Sequence, residues 1–222
     1  MPSNSTLEVS FFEPTTLTST TGQSDQTTIA RDALNKVLST TASSLSIVGT
    51  LIIIATFVIW SDLRTNSRII IVCISIGDLF VAISNITGVY TNTGDDQLCK
   101  IQATLNIAAI LSSFFWTVYL SLFFYVTICK KISTQWETRL MWLFQVTGWI
   151  IPLALAAAAY GFKAVGNSDD LVSSGWCWIK YKQDWWKMVL WMCLAGKGWE
   201  ILAYIAISVF YVLVKLQLRR EV

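Results

Sequence analysis

The residues of this sequence that could do chemistry are few, and three of them are ionisable side chains inside long apolar stretches. Lys197 and Glu200 are three residues apart in GKGWEILAY, so on a helix they share a face and can form an ion pair. Alternatively, one of them contacts a ligand or another helix. Asp78 lies in the apolar stretch IIIVCISIGDLF. Because a carboxylate near the centre of a bilayer costs about 2.5–3.5 kcal/mol on insertion scales, we expect Asp78 to face the interior of a helix bundle.

The patterns that indicate catalysis are missing from the sequence. The chain has no histidine, which excludes Ser–His nucleophile pairs and His-ligated metal sites. It also has no Gly-rich phosphate loop, no CxxC pair and no cluster of spaced carboxylates. A net charge of +2, with scattered basic residues, does not indicate a nucleic-acid partner. We therefore expect no enzyme, no metal and no cofactor.

Five long apolar segments dominate the chain, which is 54% hydrophobic and only 14% charged. Residues 41–60, 69–90, 101–128, 140–160 and 188–213 each supply the ~20 apolar residues that cross a bilayer core. Because lipid offers the backbone no hydrogen-bond partners, these segments should be helices. The sequence predicts an all-α membrane bundle over 41–213. A Ser/Thr-rich disordered tail at 1–40, with a helical lead-in near 30–42, precedes it, and a basic tail at 214–222 follows it.

Two residues in these segments are expected to shape helix packing. Pro152 should bend the fourth segment, with neighbouring groups satisfying the carbonyl that it frees. Gly148 should allow another helix to approach closely. Asn106, in the third segment, is expected to hydrogen-bond between helices.

The basic residues indicate how the segments are oriented. One set is concentrated in two short loops and the terminal segment: Arg64, Arg68, Lys130, Lys131, Arg139, Lys215, Arg219 and Arg220. The other set is spread over longer segments: Arg31, Lys36, Lys100, Lys163, Lys180, Lys182 and Lys187. Because short cytoplasmic loops are enriched in Lys and Arg, the first set is expected inside the cell. The amino terminus is then outside, where the sequon at Asn4 can be glycosylated.

Two cysteines fall on the outer side in this orientation. Cys99 opens the third segment, and Cys177 lies in the loop GWCWIKYKQDWW. On an oxidising side they are expected to pair and to hold this loop across the mouth of the bundle; the alternative is two unrelated buried thiols. Trp176 and Trp178 flank Cys177 and either pack the loop onto the bundle or contact a ligand.

Several motifs together resemble those of G-protein-coupled receptors. They are WSDLRTNSRIIIVCISIGDLF, SSFFWTV, GWCWI and VLWMCLAGKGWEILAY. The sequence is similar to the orphan G-protein-coupled receptor 157 group, near the cAMP-receptor-like branch, over about residues 45–218. The resemblance implies a heptahelical fold, an external amino terminus at the plasma membrane, an extracellular ligand and coupling to heterotrimeric G proteins. A small-solute transporter or channel subunit is the alternative function.

The resemblance also suggests roles for individual residues. Asp78 matches a receptor position that often holds a cation or waters and helps to switch states; otherwise it is a hydrogen-bonded packing residue. The basic residues near the G protein would be Arg64, Arg68, Lys130, Lys131 and Arg139. The inner end of the third segment reads TICKKIS and lacks the acidic–Arg–aromatic triplet of rhodopsin-like receptors. The sequence ends after the fifth segment, so we expect either a partial gene product or a form truncated before two further helices, which in both cases does not signal alone.

Overall fold

A computed structural model describes residues 19–91, 96–166, 177–180 and 184–221. The chain divides into two compact units, Met1–Val37 and Leu38–Val222. The described residues of the first unit are all helical and belong to helix α1, Ser19–Ile59. The sequence analysis expected a disordered tail up to residue 40, whereas the helix begins at Ser19. Extension of an existing helix is cheap because each added residue gains a hydrogen bond without a new nucleation cost.

The second unit contains the other helices and one small hairpin. Helix α2 spans Asn66–Thr91, α3 spans Asp96–Lys130, and α4 spans Thr134–Gly161, with a short 3₁₀ turn at Ser61–Leu63. Helix α5, Trp185–Met192, is joined to α6, Gly198–Glu221, through Cys193–Lys197, where the helix is kinked because Gly196 has non-helical backbone angles (φ 177°, ψ −68°); we call this segment the π turn. Strands β1, Val165–Gly166, and β2, Trp178–Ile179, pair in antiparallel fashion between α4 and α5.

Five helical segments among the described residues are long and apolar enough to cross a membrane. They are Ala33–Ile59, Asn66–Tyr90, Gln97–Lys130, Thr134–Gly161 and Trp185–Arg220. Their number and order agree with the five predicted segments, and the all-α class is confirmed. The π turn interrupts the fifth segment, which the apolar pattern did not reveal.

Helix α3 is the central element of the second unit and packs against α2, α4 and α6. One buried cluster lies along the half of α3 that begins at Cys99, and includes Ala103, Ile107, Leu111, Ala156 and Ala159. A second cluster joins α2, α3 and α4 through Ile70, Cys73, Trp116, Phe123, Met141 and Phe144. The central helix therefore fixes the relative positions of the side chains that follow.

Helix α4 contains Pro152, which is buried. Proline has no N–H, so the carbonyl four residues earlier, that of Gly148, loses its partner within the helix. The Ser112 hydroxyl of α3 donates a hydrogen bond to this carbonyl oxygen at 3.1 Å. The structure thus supplies the neighbouring group that the sequence analysis expected, and identifies it as Ser112.

We expect Ser112→Ala to lower the free energy of unfolding by about 1–3 kcal/mol, because it leaves a buried carbonyl without a partner. Ser75→Ala is the matched control: the Ser75 hydroxyl donates only to Ile71, within its own helix. Thermal unfolding in detergent, followed by tryptophan fluorescence, measures both variants. Equal losses in the two would show that the Ser112 hydrogen bond has no special role.

Candidate functional site

A disulfide-bonded hairpin lies against the amino-terminal end of α3. Cys99 and Cys177 are joined by a disulfide bond, with their Cα atoms 5.4 Å apart, which is the pairing that the sequence analysis predicted. Val165 and Ile179 face each other across the strands and are almost fully buried. We call β1, β2 and Cys177 the lid. Its inner side chains belong to the same buried cluster as Cys99 and Ile107, so apolar packing and a covalent bond both hold the lid on the bundle.

Helix α3 carries two buried amide side chains one helical turn apart, Gln102 and Asn106. The Gln102 Nε2 donates to the backbone oxygen of Ser84 on α2 at 3.1 Å, and the Ser84 hydroxyl donates to the backbone oxygen of Gln102. Gln102 Oε1 and Asn106 Oδ1 are buried and have no hydrogen-bond partner among the described residues. A buried hydrogen-bond acceptor without a partner lowers stability by about 1–3 kcal/mol. A hydrogen-bond donor placed next to either oxygen would therefore be stabilised.

The sequence analysis identified Asn106 but missed Gln102. It expected Asn106 to pair between helices, whereas Gln102 makes the α2–α3 hydrogen bonds in this region. The available signal was spacing: Gln102 comes three residues after Cys99 and four before Asn106, so all three share a face of α3.

Asp78 lies on α2 and points towards α3. The Ser113 hydroxyl donates to its Oδ1 at 2.7 Å, and the carboxylate is partly buried. The helices come close here because Gly77 has no side chain: a Cβ atom at that position would lie 3.4 Å from the Ala109 carbonyl oxygen. The interior-facing position expected for Asp78 is therefore present, and its partner is a serine of the SSFFWTV motif.

The π turn in the fifth segment is stabilised by side chains on both sides. The Trp199 indole N–H donates to the Leu194 carbonyl at 2.9 Å, which supplies a partner to a backbone group near the interruption. The Trp199 ring also lies 5.0 Å from that of Phe115 on α3. From the lid, Trp178 packs towards Gly196, where a Cβ atom would be 3.9 Å from its ring.

Lys197 and Glu200 flank the end of this turn and form an ion pair, with Nζ and Oε2 2.8 Å apart. The mutual pairing that the spacing predicted is present. The Lys197 side chain is 65% exposed and that of Glu200 28% exposed within this chain, so the pair lies at the margin of the bundle. Trp178 packs beside the buried cluster that contains Cys99 and Ile107, whereas Trp176 and Asn4 lie outside the described residues.

We expect a double-mutant cycle on Lys197 and Glu200 to give a larger coupling energy than the same cycle on Asp184 and Lys187. The Asp184–Lys187 pair has the same spacing and a similar distance, 2.7 Å, but it precedes the apolar part of the helix. Water screens exposed ion pairs outside the apolar part, so that each contributes only about 0.2–1 kcal/mol of stability. In lipid, Glu200→Gln leaves the Lys197 ammonium without a partner. We therefore expect this single variant to lower surface expression more than replacing Lys197 and Glu200 together. Strict additivity at Lys197 and Glu200 would disprove this coupling.

The basic residues predicted to lie near a G protein are at the opposite ends of the spans from the lid. Arg64 donates to the Val58 carbonyl at 3.0 Å, and Arg139 lies 5.3 Å from the centre of the Trp136 ring. Arg68, Lys130 and Lys131 are exposed. At this end, Asn66 of α2 donates to Glu137 of α4 at 2.9 Å, which links the two helices that bear Arg68 and Arg139.

A seven-helix family accounts for this arrangement of spans and lid. The family described as 7 transmembrane receptor (rhodopsin family) matches residues 49–222. The chain belongs to this receptor family. It is therefore an integral, multi-pass membrane protein, and the described residues contain five spans of the heptahelical receptor fold.

Individual receptors are similar over most of the chain. The human G-protein coupled receptor 157 is 38% identical over 178 residues, which cover 80% of this chain and 52% of that receptor. The mouse protein of the same name is also 38% identical, with 53% of its length covered. The Cyclic AMP receptor-like protein A of Dictyostelium discoideum is 29% identical over 140 residues, 62% of this chain and 35% of that protein. The predicted resemblance is confirmed, and the chain spans about half the length of the mammalian receptors.

Proposed function

We propose that this protein receives an extracellular ligand and transmits the signal to a heterotrimeric G protein. The observation that carries the proposal is the disulfide-held lid on the amino-terminal end of α3, in a chain that belongs to the receptor family. The names of its mammalian relatives support G-protein coupling. Because the chain has no histidine and lacks the common catalytic motifs, we propose reception and not catalysis.

The proposed orientation places the amino terminus outside the cell and the protein in the plasma membrane. Density of basic residues in the short loops supports it, because Lys and Arg favour the cytoplasmic side. The lid disulfide supports it too, since such bonds persist in oxidising compartments. Glycosylation at Asn4 is part of this proposal. Enzymatic removal of N-linked glycans should shift the protein on a gel, and Asn4→Gln should abolish that shift.

We propose that the ligand contacts the lid and the adjoining amino-terminal half of α3. Gln102 Oε1 and Asn106 Oδ1 offer acceptors without partners, and they would bind a hydroxyl, amide or amine donor. Trp178, a lid residue that faces Gly196 of the π turn, would sense the ligand, as would Trp176. Two polar pairs are proposed to change partners when the receptor changes state: Asp78 with Ser113, and Lys197 with Glu200.

The proposed G-protein surface lies at the opposite end of the bundle. It includes Arg64, Arg68, Lys130, Lys131 and Arg139. Basic residues at this position would attract acidic segments of the partner and increase the association rate. The Asn66–Glu137 hydrogen bond supports the surface by holding α2 and α4 together.

Co-expression with individual Gα subunits tests the proposed function. We expect one Gα class to co-purify with the protein and to be released by a non-hydrolysable GTP analogue. Lys130→Gln with Lys131→Gln should weaken this complex, whereas Lys163→Gln with Lys187→Gln, on the lid side, should not. Absence of any nucleotide-sensitive complex, together with solute flux into vesicles that contain the protein, would favour a transporter or channel instead.

A further inference from the structure

The carboxyl-terminal end of α6 has a largely exposed face. An open groove of about 520 Å³ runs along it and is lined by Tyr211, Val214, Lys215, Leu218 and Arg219. Their spacing of three and four residues places them in one stripe, which we call the α6 stripe. Tyr211 and Leu218 are largely exposed. The centre of the neighbouring Phe210 ring lies 5.7 Å from that of Tyr125 on α3. The face of α6 that packs against α3 is therefore different from the α6 stripe.

The two cations of the α6 stripe form no ion pair with a carboxylate of the described residues. Lys215 Nζ lies 5.9 Å from the centre of the Tyr211 ring, and neither Lys215 nor Arg219 has an ion-pair partner within residues 19–91, 96–166, 177–180 and 184–221. Lys187 shows the contrast. It lies 5.4 Å from the Trp186 ring but is paired with Asp184 at 2.7 Å. The α6 stripe thus has two free positive charges next to exposed apolar side chains.

The distribution of charge over the chain also favours an anion at this end. The side that carries Lys215 and Arg219 has eight basic residues and three acidic ones, Asp62, Glu137 and Glu221. An anion near the α6 stripe is therefore attracted by the surrounding charges as well as by the two cations.

We propose that the α6 stripe binds an anionic phospholipid. Its phosphate lies between Lys215 and Arg219, where the ammonium acts as a point charge and the guanidinium forms two parallel hydrogen bonds. An acyl chain extends along Tyr211, Val214 and Leu218. A phospholipid fits because the stripe belongs to a membrane-crossing segment, Trp185–Arg220, and phospholipid head groups supply anions at the end of such a segment. The leaflet follows from the orientation under Proposed function; the lipid contact does not depend on it.

Photo-crosslinking tests this lipid site on the purified full chain in phosphatidylcholine nanodiscs. The probes are phosphatidylserine and phosphatidylcholine, each with the same photoreactive acyl chain at a low mole fraction. We expect phosphatidylserine to label the peptide that contains residues 204–219 at least fivefold more than phosphatidylcholine. Because each basic residue near the surface contributes about fivefold in binding to anionic lipid, Lys215→Gln with Arg219→Gln should remove this preference.

Two further variants control for general charge and for folding. Lys187→Gln, in the ion pair with Asp184, should leave labelling of the 204–219 peptide unchanged. Lys215→Arg with Arg219→Lys preserves both charges and should retain most of the preference, which shows that the glutamine variant loses charge and not structure. Equal labelling by the two probes, or an unchanged preference in the double glutamine variant, would overturn the proposal. Neither result depends on a ligand or a G protein, so the proposed receptor function is tested separately.

Discussion

Replacing Cys99 and Cys177 together by serine is expected to lower the free energy of unfolding by several kcal/mol and to reduce the amount of protein at the cell surface severalfold. The bond closes a loop with a sequence separation of 78 residues, for which the chain-entropy model gives roughly 4.5 kcal/mol. The measured loss should be smaller than this figure, because helices inserted in a membrane already restrict the unfolded chain.

The lid explains why the loss extends beyond chain entropy. Cys177, Val165 and Ile179 are buried in the cluster that includes Ala195 of the π turn. Without the disulfide, the lid can leave α3 and expose this apolar surface. Trp178 would then lose its position over Gly196, and we expect any ligand response to fail even in the protein that reaches the surface.

Cys193→Ser is the control, because Cys193 is a free and exposed thiol. It should unfold at the same temperature as the wild type. Alkylation before and after reduction identifies the bonded pair by mass spectrometry. Alkylation of both Cys99 and Cys177 without reduction would contradict the disulfide, and normal stability of the double serine variant would contradict its structural role.

The sequence predicted those features that depend on one segment or on simple chemistry. Length and apolar composition were sufficient for five helices, because a bilayer imposes helical hydrogen bonding. The Lys197–Glu200 pair was predictable because both residues share one helix face. The Cys99–Cys177 bond followed from an orientation argument that reduced five cysteines to two.

Features that depend on the register between helices could not be predicted in this way. Nothing in the sequence pairs Asp78 with Ser113, 35 residues later, until α2 and α3 are placed side by side. The same is true of Ser112 and the Gly148 carbonyl: Pro152 indicated that a donor was needed, but not which one. The π turn was missed because its residues, CLAGK, contain no proline and lie within a long apolar segment.

Replacing Gly148 by alanine is expected to lower the free energy of unfolding by about 1–3 kcal/mol, and replacement by leucine should lower it further. A Cβ atom at this position would lie 2.9 Å from Cε2 of Trp116. Trp116 is fully buried and packs against the Tyr119 and Trp149 rings, each with its centre 5.9 Å away. The indole therefore cannot move aside, and α3 and α4 must separate. Separation would also lengthen the Ser112–Gly148 hydrogen bond.

Thermal unfolding of paired variants isolates this contact between Gly148 and Trp116. Gly49→Ala is the matched control, because no atom lies within 4 Å of its would-be Cβ; it should stabilise the protein slightly through helix propensity. Trp116→Phe should partly rescue Gly148→Ala, since the smaller ring makes room. It also removes an indole N–H that has no hydrogen-bond partner among the described residues. If Gly148→Ala is as stable as Gly49→Ala, or if Trp116→Phe worsens it additively, then α3 and α4 do not pack through this contact.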